Sequence, residues 1–334
     1  MTPGAAPRRK LADEAGRMCP VDYRYSPSVF ARESDLSAEV LYVVGGLYGN
    51  LAALEEVERL AAAEQGQATI VFNGDFHWFD AEPDWFAAID DGVARHRALR
   101  GNVETEITRG DDIGAGCGCA YPETVDDGVV QRSNVILSEL KQSAQASPGA
   151  LARCVALPMH LVATIGPLRV GIVHGDAASL AGWGFAHDRL DSPDQLGWLA
   201  EVRRQSDIDL FASTHTCLAA LRHFSLPSGT MTVINNGAAG MANFAGTQYG
   251  LLSRIATRPS PHPSVCGTMR DGVHIDAIAI RYDQTAFLDR FLACWPQSSP
   301  AHLSYHRRIV SGPDYSVDQA RGRLGHPSLV RSSA

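Results

Sequence analysis

Residues 68–77 read ATIVFNGDFH and are the part of the chain that decides the fold. The apolar and β-branched run that begins this stretch predicts a strand buried on both faces. In an open α/β sheet, ligands bind outside the carboxyl ends of the strands. The carboxylate of Asp75 follows this strand directly and is predicted to face such a crevice, with His77 two residues later. Taken alone, the stretch also fits a plainer interpretation, with Asp75 as a helix cap and His77 as a surface residue.

The composition is that of an ordinary globular protein and argues against two classes of partner. The chain has 334 residues, 45% of them hydrophobic, and a formal charge of −8, which disfavours binding to the phosphate backbone of a nucleic acid polymer. No apolar run approaches the ~20 residues of a membrane helix, and residues 1–17 lack the apolar core of a secretory signal. Seven cysteines, an odd number, do not fit a disulfide framework. We expect a cytoplasmic protein with reduced thiols and with neither a membrane nor a nucleic acid partner.

The segments on either side of residues 68–77 predict a βαβ unit. Residues 39–44 have a buried-strand pattern, and residues 51–63 carry leucine and valine at three-residue steps, as in an amphipathic helix. This order predicts parallel strands with a right-handed crossover. Residues 1–38 form an N-terminal extension to which we assign no regular core element. We expect one domain over residues 39–283, and over residues 284–334 a helix at 285–295 followed by an extended tail that packs in places.

Helices and strands continue to alternate along the rest of the chain. Residues 159–164 and 168–173 predict an antiparallel hairpin. Residues 105–122 are rich in glycine and predict a loop, which carries Cys117 and Cys119. Further helices are predicted at residues 82–95, 125–144 and 195–204. Further strands are predicted before residue 102 and at residues 210–212, 231–234 and 275–282.

Four predicted strand ends carry a group that can bind a metal ion: Asp75, Asn102, His174 and His215. Parallel neighbours place their carboxyl ends about 5 Å apart, so these groups can converge on one ion. Two imidazoles, one carboxylate and one amide oxygen suit Mn, Fe or Zn better than Ca or Mg. Singly, His174 also fits a hydrogen-bonded core histidine and Asn102 a turn residue, but the joint pattern favours a metal site.

The order of these motifs resembles that of the calcineurin-like metallophosphoesterases, over about residues 39–283. That family carries Asp-x-His after its first strand, Gly-Asp after its second and Gly-Asn after its third, then His-Gly and finally Gly-His-Thr-His. The corresponding text here is Gly46-Leu47-Tyr48, Gly74-Asp75, Gly101-Asn102, His174-Gly175 and Thr214-His215-Thr216-Cys217. The resemblance implies an α/β fold, a sandwich of mixed β-sheets flanked by helices. It also implies that Asp75, Asn102, His174 and His215 hold one divalent transition metal, Mn, Fe or Zn.

The chain departs from the family at the site of the second metal ion. The resemblance implies that this ion would be held by the Asp and His of the first motif and by the final His of the last. Those positions are Gly46, Tyr48 and Cys217 here. Two ligands are therefore lost and a thiol replaces the third. Cys217 is a candidate metal ligand, and the sequence leaves open whether a second ion binds. A mechanism that clamps two oxygens across two ions does not transfer unchanged.

Other residues offer replacements for the lost ligands. His77 makes a new Asp-x-His with Asp75, and Cys117 and Cys119 together with Cys217 would form a soft site for Zn or Fe. Alternatively, Cys117 and Cys119 are small loop residues and Cys217 is a buried apolar one. The candidates for proton transfer to the leaving group are His77, Tyr48 and His187. Tyr48 fits equally well as an aromatic plug over the abandoned metal position.

These observations predict a metallophosphoesterase that hydrolyses a small phosphate monoester or diester with metal-activated water. One alternative is a pseudoenzyme that keeps one ion and has a regulatory or scaffolding role, which the lost ligands favour. Another is a thiol-based redox or metal-storage role for Cys117, Cys119 and Cys217. The sequence leaves open whether the protein forms a homo-oligomer and what role the two terminal segments have.

Overall fold

The computed structural model describes residues 15–111 and 113–322, and within them two six-stranded sheets pack face to face. With strands numbered along the chain, the first sheet consists, in spatial order, of β1 (Leu36–Ser37), β5 (His160–Ile165), β6 (Leu168–Val173), β7 (Leu210–Ser213), β9 (Gly229–Asn235) and β8 (Ala220–Leu226). The second consists of β11 (Ser264–Arg270), β12 (Val273–Ile280), β10 (Gly250–Ala256), β2 (Val40–Val44), β3 (Ala68–Asn73) and β4 (Arg97–Leu99). Both sheets contain parallel and antiparallel neighbours, so the predicted sandwich of mixed sheets is confirmed.

Helices cover the outer faces of the two sheets. They are α1 (Leu51–Ala62), α2 (Pro83–Val93), α3 (Asn102–Thr108), α4 (Asp127–Ala144), α5 (Pro148–Ala156), α6 (His187–Leu190), α7 (Leu196–Ser206), α8 (Gln284–Cys294), α9 (Pro300–Ser311) and α10 (Val317–Arg321). Short 3-10 helices span Val21–Tyr23, Pro27–Phe30 and Pro193–Gln195. Among the helices of the described residues, none combines the length and the apolar character needed to cross a bilayer.

The apolar core lies in layers because each strand alternates its side chains between two faces. Leu41, Val43 and Val71 of the second sheet share one buried cluster with Val170 and Ile172 of the first. The outer face of the second sheet packs against α1 and α2, and that of the first sheet packs against α7.

The predicted βαβ unit and the predicted hairpin are both confirmed. Strands β2 and β3 are parallel, with Val40 opposite Ala68, and α1 connects them. The helix begins after Asn50, whose side chain accepts a hydrogen bond from the N–H of Ala53 at 3.0 Å. Strands β5 and β6 are antiparallel neighbours, as the alternation of their residues predicts. These local patterns suffice because each of the units is built from contiguous sequence.

The structure differs from the prediction at both ends of the described chain. Leu36–Ser37 forms a strand beside β5, and Phe30 is buried with its ring 5.3 Å from that of Phe211, so the absence of core elements before residue 39 is wrong for residues 15–38. Residues 1–14 lie outside the described part. An extended tail is wrong for Pro300–Ser311 and for Val317–Arg321, which are helices whose first turns are capped by Ser299 and Ser316. Residues 323–334 lie outside the described part.

Some internal elements were not predicted, namely β8, β10, β11, α3, α5 and α6. Strands β8 and β11 are edge strands, and β11 exposes many of its side chains, so their sequences lack a buried-strand pattern. Pairing with a neighbouring strand fixes them instead.

Candidate metal centre

The turn after β3 brings Asp75 against the turn after β4. Gly74 and Asp75 adopt positive φ angles of 91° and 51°. A Cβ atom on residue 74 would lie 2.5 Å from the backbone nitrogen of Gly101 and 2.6 Å from Nδ1 of His174, so only glycine allows this approach. The approach places Asp75 within reach of residues from both sheets.

Glu104 holds the two turns together. Its buried carboxylate accepts hydrogen bonds from the backbone N–H groups of Asp75 at 2.8 Å, Phe76 at 3.1 Å, His77 at 3.4 Å and Gly101 at 2.8 Å. Burial, with the nearby Asp75 carboxylate, raises the pKa of Glu104. No role was predicted for Glu104. The available signal is an acidic residue at the third position of a helix that begins directly after a strand.

The structure brings the four predicted ligands together at one point. Nε2 of His174 lies 3.0 Å from Oδ1 of Asn102, 3.1 Å from Nδ1 of His215 and 3.4 Å from Oδ1 of Asp75. All four side chains are buried. Asp75 and Asn102 follow the parallel strands β3 and β4 of the second sheet, whereas His174 and His215 follow the parallel strands β6 and β7 of the first. The point of convergence therefore lies between the two sheets rather than along one of them.

The hydrogen bonds around these side chains direct acceptor atoms at their common centre. Nδ1 of His174 lies 2.9 Å from the carbonyl oxygen of Asn73, and Nε2 of His215 lies 3.1 Å from that of Cys119. Because a carbonyl only accepts, both of these nitrogens carry the proton. The Asn102 amide donates to the carbonyl oxygen of Cys117 at 3.0 Å. Two imidazole lone pairs, an amide oxygen and a carboxylate thus face one another, and they repel unless a cation or a proton lies among them.

The electrostatics of the cluster agree with a cation site. Burial opposes the charged imidazole of His174, but the Asp75 carboxylate outweighs this effect and raises the pKa of His174. Burial and the neighbouring His174 lower the pKa of His215 to about 3. Burial opposes the charge of Asp75 as well, yet His174 and His215 together lower the pKa of Asp75. An ionised Asp75 and a neutral His215 are the states that metal binding requires, whereas His174, whose pKa is raised, would release its proton when a metal ion binds.

A cavity of about 190 Å³ opens onto this centre. Asp75, Asn102 and His215 line it on one side. Aromatic side chains from separate parts of the chain form its walls: Tyr48, Trp78, Tyr121, Trp183 and Tyr305. Within the described residues, its lining contains neither lysine nor arginine. The glycine-rich loop contributes Cys119 and Tyr121, and α9 contributes Ser304 and Tyr305, so both segments cover the crevice.

Tyr48 and Cys217 contact each other beside the centre. The hydroxyl of Tyr48 lies 3.0 Å from Sγ of Cys217, and the Tyr48 ring lies 2.8 Å from where a Cβ atom on residue 46 would be. Burial raises the pKa values of the Tyr48 hydroxyl and of the Cys217 thiol, so both stay protonated at neutral pH. Sγ of Cys217 does not belong to the group of donor atoms formed by Asp75, His174 and His215, which lie within 4.8 Å of one another.

The remaining candidates lie outside the converging group. Cys117 and Cys119 contact the ligands through their carbonyl oxygens, and the Cys119 thiol lies 3.6 Å from the amide nitrogen of Asn102. His77 is fully buried, stacks on Phe86 and does not line the cavity. His187 contacts the ring of Tyr315 at 4.9 Å. The structure therefore leaves Tyr48 as the one predicted proton-transfer residue at the cavity.

Comparison with known proteins shows which solved structures share this fold. No protein family model matches the chain, and no curated protein matches it. A hypothetical protein from Pyrococcus horikoshii OT3 aligns with a TM-score of 0.56 and 15% identity, over 83% of this chain and 99% of that chain. A metallophosphoesterase from Sphaerobacter thermophilus aligns with a TM-score of 0.50 and 15% identity, over 82% of this chain and 100% of that chain. The chain therefore has the calcineurin-like metallophosphoesterase fold that its motifs predict.

Proposed function

We propose that this protein is a metal-dependent phosphoesterase that hydrolyses a small phosphate monoester or diester. The convergence of Asp75, Asn102, His174 and His215, with acceptor atoms facing one point, carries the proposal. The fold shared with a metallophosphoesterase supports the same class of reaction. A divalent transition metal such as Mn, Fe or Zn, when bound by these residues, lowers the pKa of a coordinated water to ~7 and supplies hydroxide at neutral pH.

The residues around the centre would orient the substrate and exclude water from it. The aromatic walls of the cavity suit an ester that carries an apolar or aromatic group. Tyr48 keeps its proton because burial raises its pKa, so its hydroxyl would donate a hydrogen bond to an ester oxygen. Either atom can be the donor in its contact with Cys217, and donation by the thiol leaves the Tyr48 proton free for the ester oxygen. Tyr48 thus orients the substrate and takes up charge that develops on oxygen.

Hydrolysis of bis-p-nitrophenyl phosphate and of p-nitrophenyl phosphate tests the proposal. We expect turnover with added Mn, Fe or Zn, and a loss of at least about 100-fold in His174→Ala, because a ligand is removed. His223→Ala serves as the matched control, since this half-buried histidine of β8 lies outside the site. Its rate should stay within about twofold of wild type. Turnover that is unaffected by His174→Ala would contradict the proposal.

A pseudoenzyme is the second candidate, and the contact of Tyr48 with Cys217 favours it. These two residues stand where the resemblance would place ligands of a second ion. Such a protein would bind a metal ion that His174→Ala removes, yet it would hydrolyse neither ester with any of the three metals. For either function, a cytoplasmic location and a homo-oligomeric state are predictions from the sequence.

A further inference from the structure

A second group of metal-ligating side chains lies where α2 and α5 pack beside the loop after β3. His77 belongs to that loop, Asp90 to α2 and Cys154 to α5. Each offers one ligand atom, and the three atoms all lie within 4.8 Å of one another. All three side chains are buried. The proposed phosphoesterase reaction uses none of them.

The imidazole of His77 is fixed by its neighbours in a metal-binding orientation. Nδ1 lies 2.6 Å from Oδ2 of Asp80, whose other oxygen accepts a hydrogen bond from the N–H of Trp78 at 2.8 Å. The ring stacks on Phe86, with the centroids 3.8 Å apart. A carboxylate that accepts a hydrogen bond from Nδ1–H leaves the Nε2 lone pair for an ion, as in carboxylate–histidine–zinc triads.

The free nitrogen of His77 gives independent evidence for a ligand. Nε2 is fully buried and, within the described residues, has no hydrogen-bond partner. Buried polar atoms in folded proteins nearly always have a partner, because a buried atom without one loses its bond to water. A metal ion next to Asp90 and Cys154 would provide it.

The charges around the group match a divalent cation. Asp80 and Asp90 carry carboxylates, and Arg153 pairs with Asp90 through Nε and Oδ2 at 2.7 Å. When Cys154 is deprotonated, its thiolate and the carboxylates of Asp80 and Asp90 outnumber the positive charge of Arg153, and this excess favours a cation. An imidazole, a thiolate and a carboxylate are ligands that Zn²⁺ accepts, whereas Mg²⁺ and Ca²⁺ prefer oxygen alone.

We propose that His77, Asp90 and Cys154 bind a structural zinc ion that ties the loop after β3 to α2 and α5. On binding, the Cys154 thiol releases its proton to solvent and the resulting thiolate forms the Zn–S bond. The ion stabilises the loop that carries Asp75 and makes no contact with the substrate.

Cobalt(II) substitution tests this site, because a thiolate–cobalt bond produces a charge-transfer band in the near ultraviolet. We expect the band in the cobalt-loaded wild type and its loss in Cys154→Ser, together with one ion fewer per chain. Cys217→Ser is the matched control, since Cys217 is the thiol beside the other centre, and it should keep the band. His174→Ala should also keep the band, so failure of the proposed function leaves this readout unaffected.

Two results would overturn the zinc site. One is a cobalt-loaded wild type without the band, and the other is a band that Cys217→Ser abolishes and Cys154→Ser retains. If Cys154→Ser does not fold, Asp90→Asn provides the test, with circular dichroism to confirm folding. This variant should weaken cobalt binding by about 10–100-fold, and an unchanged affinity would be evidence against the site.

Discussion

Nε2 of His215 donates a hydrogen bond to the carbonyl oxygen of Cys119 at 3.1 Å. Two residues earlier, the carbonyl oxygen of Cys117 accepts from the amide of Asn102. The glycine-rich loop therefore supports two of the predicted ligands through its backbone. Such outer contacts fix the orientation of a ligand and raise its basicity, so the loop is expected to set metal affinity.

The backbone of this loop, rather than its thiols, should control metal binding at the four-residue centre. Gly118 has a φ of 66°, and a Cβ atom there would lie 2.4 Å from the hydroxyl of Tyr23. Gly118→Ala should therefore shift both carbonyl groups and weaken Mn²⁺ binding by about 10–100-fold in calorimetric titration. The double variant Cys117→Ser, Cys119→Ser is the control and should bind Mn²⁺ as wild type does. Loss of the ion in this control would assign the thiols to the site.

Glu104 should be essential for stability because it is the acceptor for four buried N–H groups. Glu104→Ala leaves those of Asp75, Phe76, His77 and Gly101 without this partner. We expect the free energy of unfolding to fall by about 3–5 kcal/mol, measured by urea denaturation of the metal-free protein. Glu139→Ala, on the exposed face of α4, should change it by less than about 0.5 kcal/mol. A similarly small effect of Glu104→Ala would show that water replaces its carboxylate.

The lack of lysine and arginine among the described lining residues of the cavity should favour phosphodiesters over phosphomonoesters. A diester carries one negative charge and a monoester up to two, and no lysine or arginine among the described lining residues offsets the second. Val129→Arg places a cation in the lining and should raise the monoester-to-diester ratio of kcat/KM by about tenfold. Val135→Arg, at an exposed position of the same helix, is the control. An equal rise of this ratio in both variants would show that the overall charge of the protein, rather than the cavity lining, causes the effect.

His160 should make stability depend on pH. Its ring contacts those of Tyr25 and Phe30, and burial, followed by Arg32, lowers its pKa. In the unfolded chain the pKa of this histidine is ~6.5. Below that pH the unfolded chain binds a proton that the folded chain does not bind, so the free energy of unfolding falls as pH falls. The slope from this group is at most about 1.4 kcal/mol per pH unit. Denaturant unfolding of wild type and His160→Phe at several pH values measures it, and parallel curves would contradict the prediction.

Local sequence was enough to predict the units that contiguous residues build. The βαβ unit from β2 to β3 and the hairpin of β5 and β6 follow from periodicity, because each strand pairs with a segment nearby in the chain. Asp75, Asn102, His174 and His215 could be named for the same reason, since each lies within three residues of the end of a strand. The order of these residues along the chain also indicated the fold that the comparison with solved structures confirms.

The tertiary structure decided how these pieces face one another. It places two of the four residues at the end of each sheet, and it turns His77 towards Asp80 and Phe86 instead of the cavity. It also uses carbonyl groups of Cys117 and Cys119 where thiols were considered. Contacts of this kind join residues far apart in sequence and depend on which faces pack together. Periodicity determines which side of a strand or helix is buried, but the partner of that side is chosen only when the sheets and helices assemble.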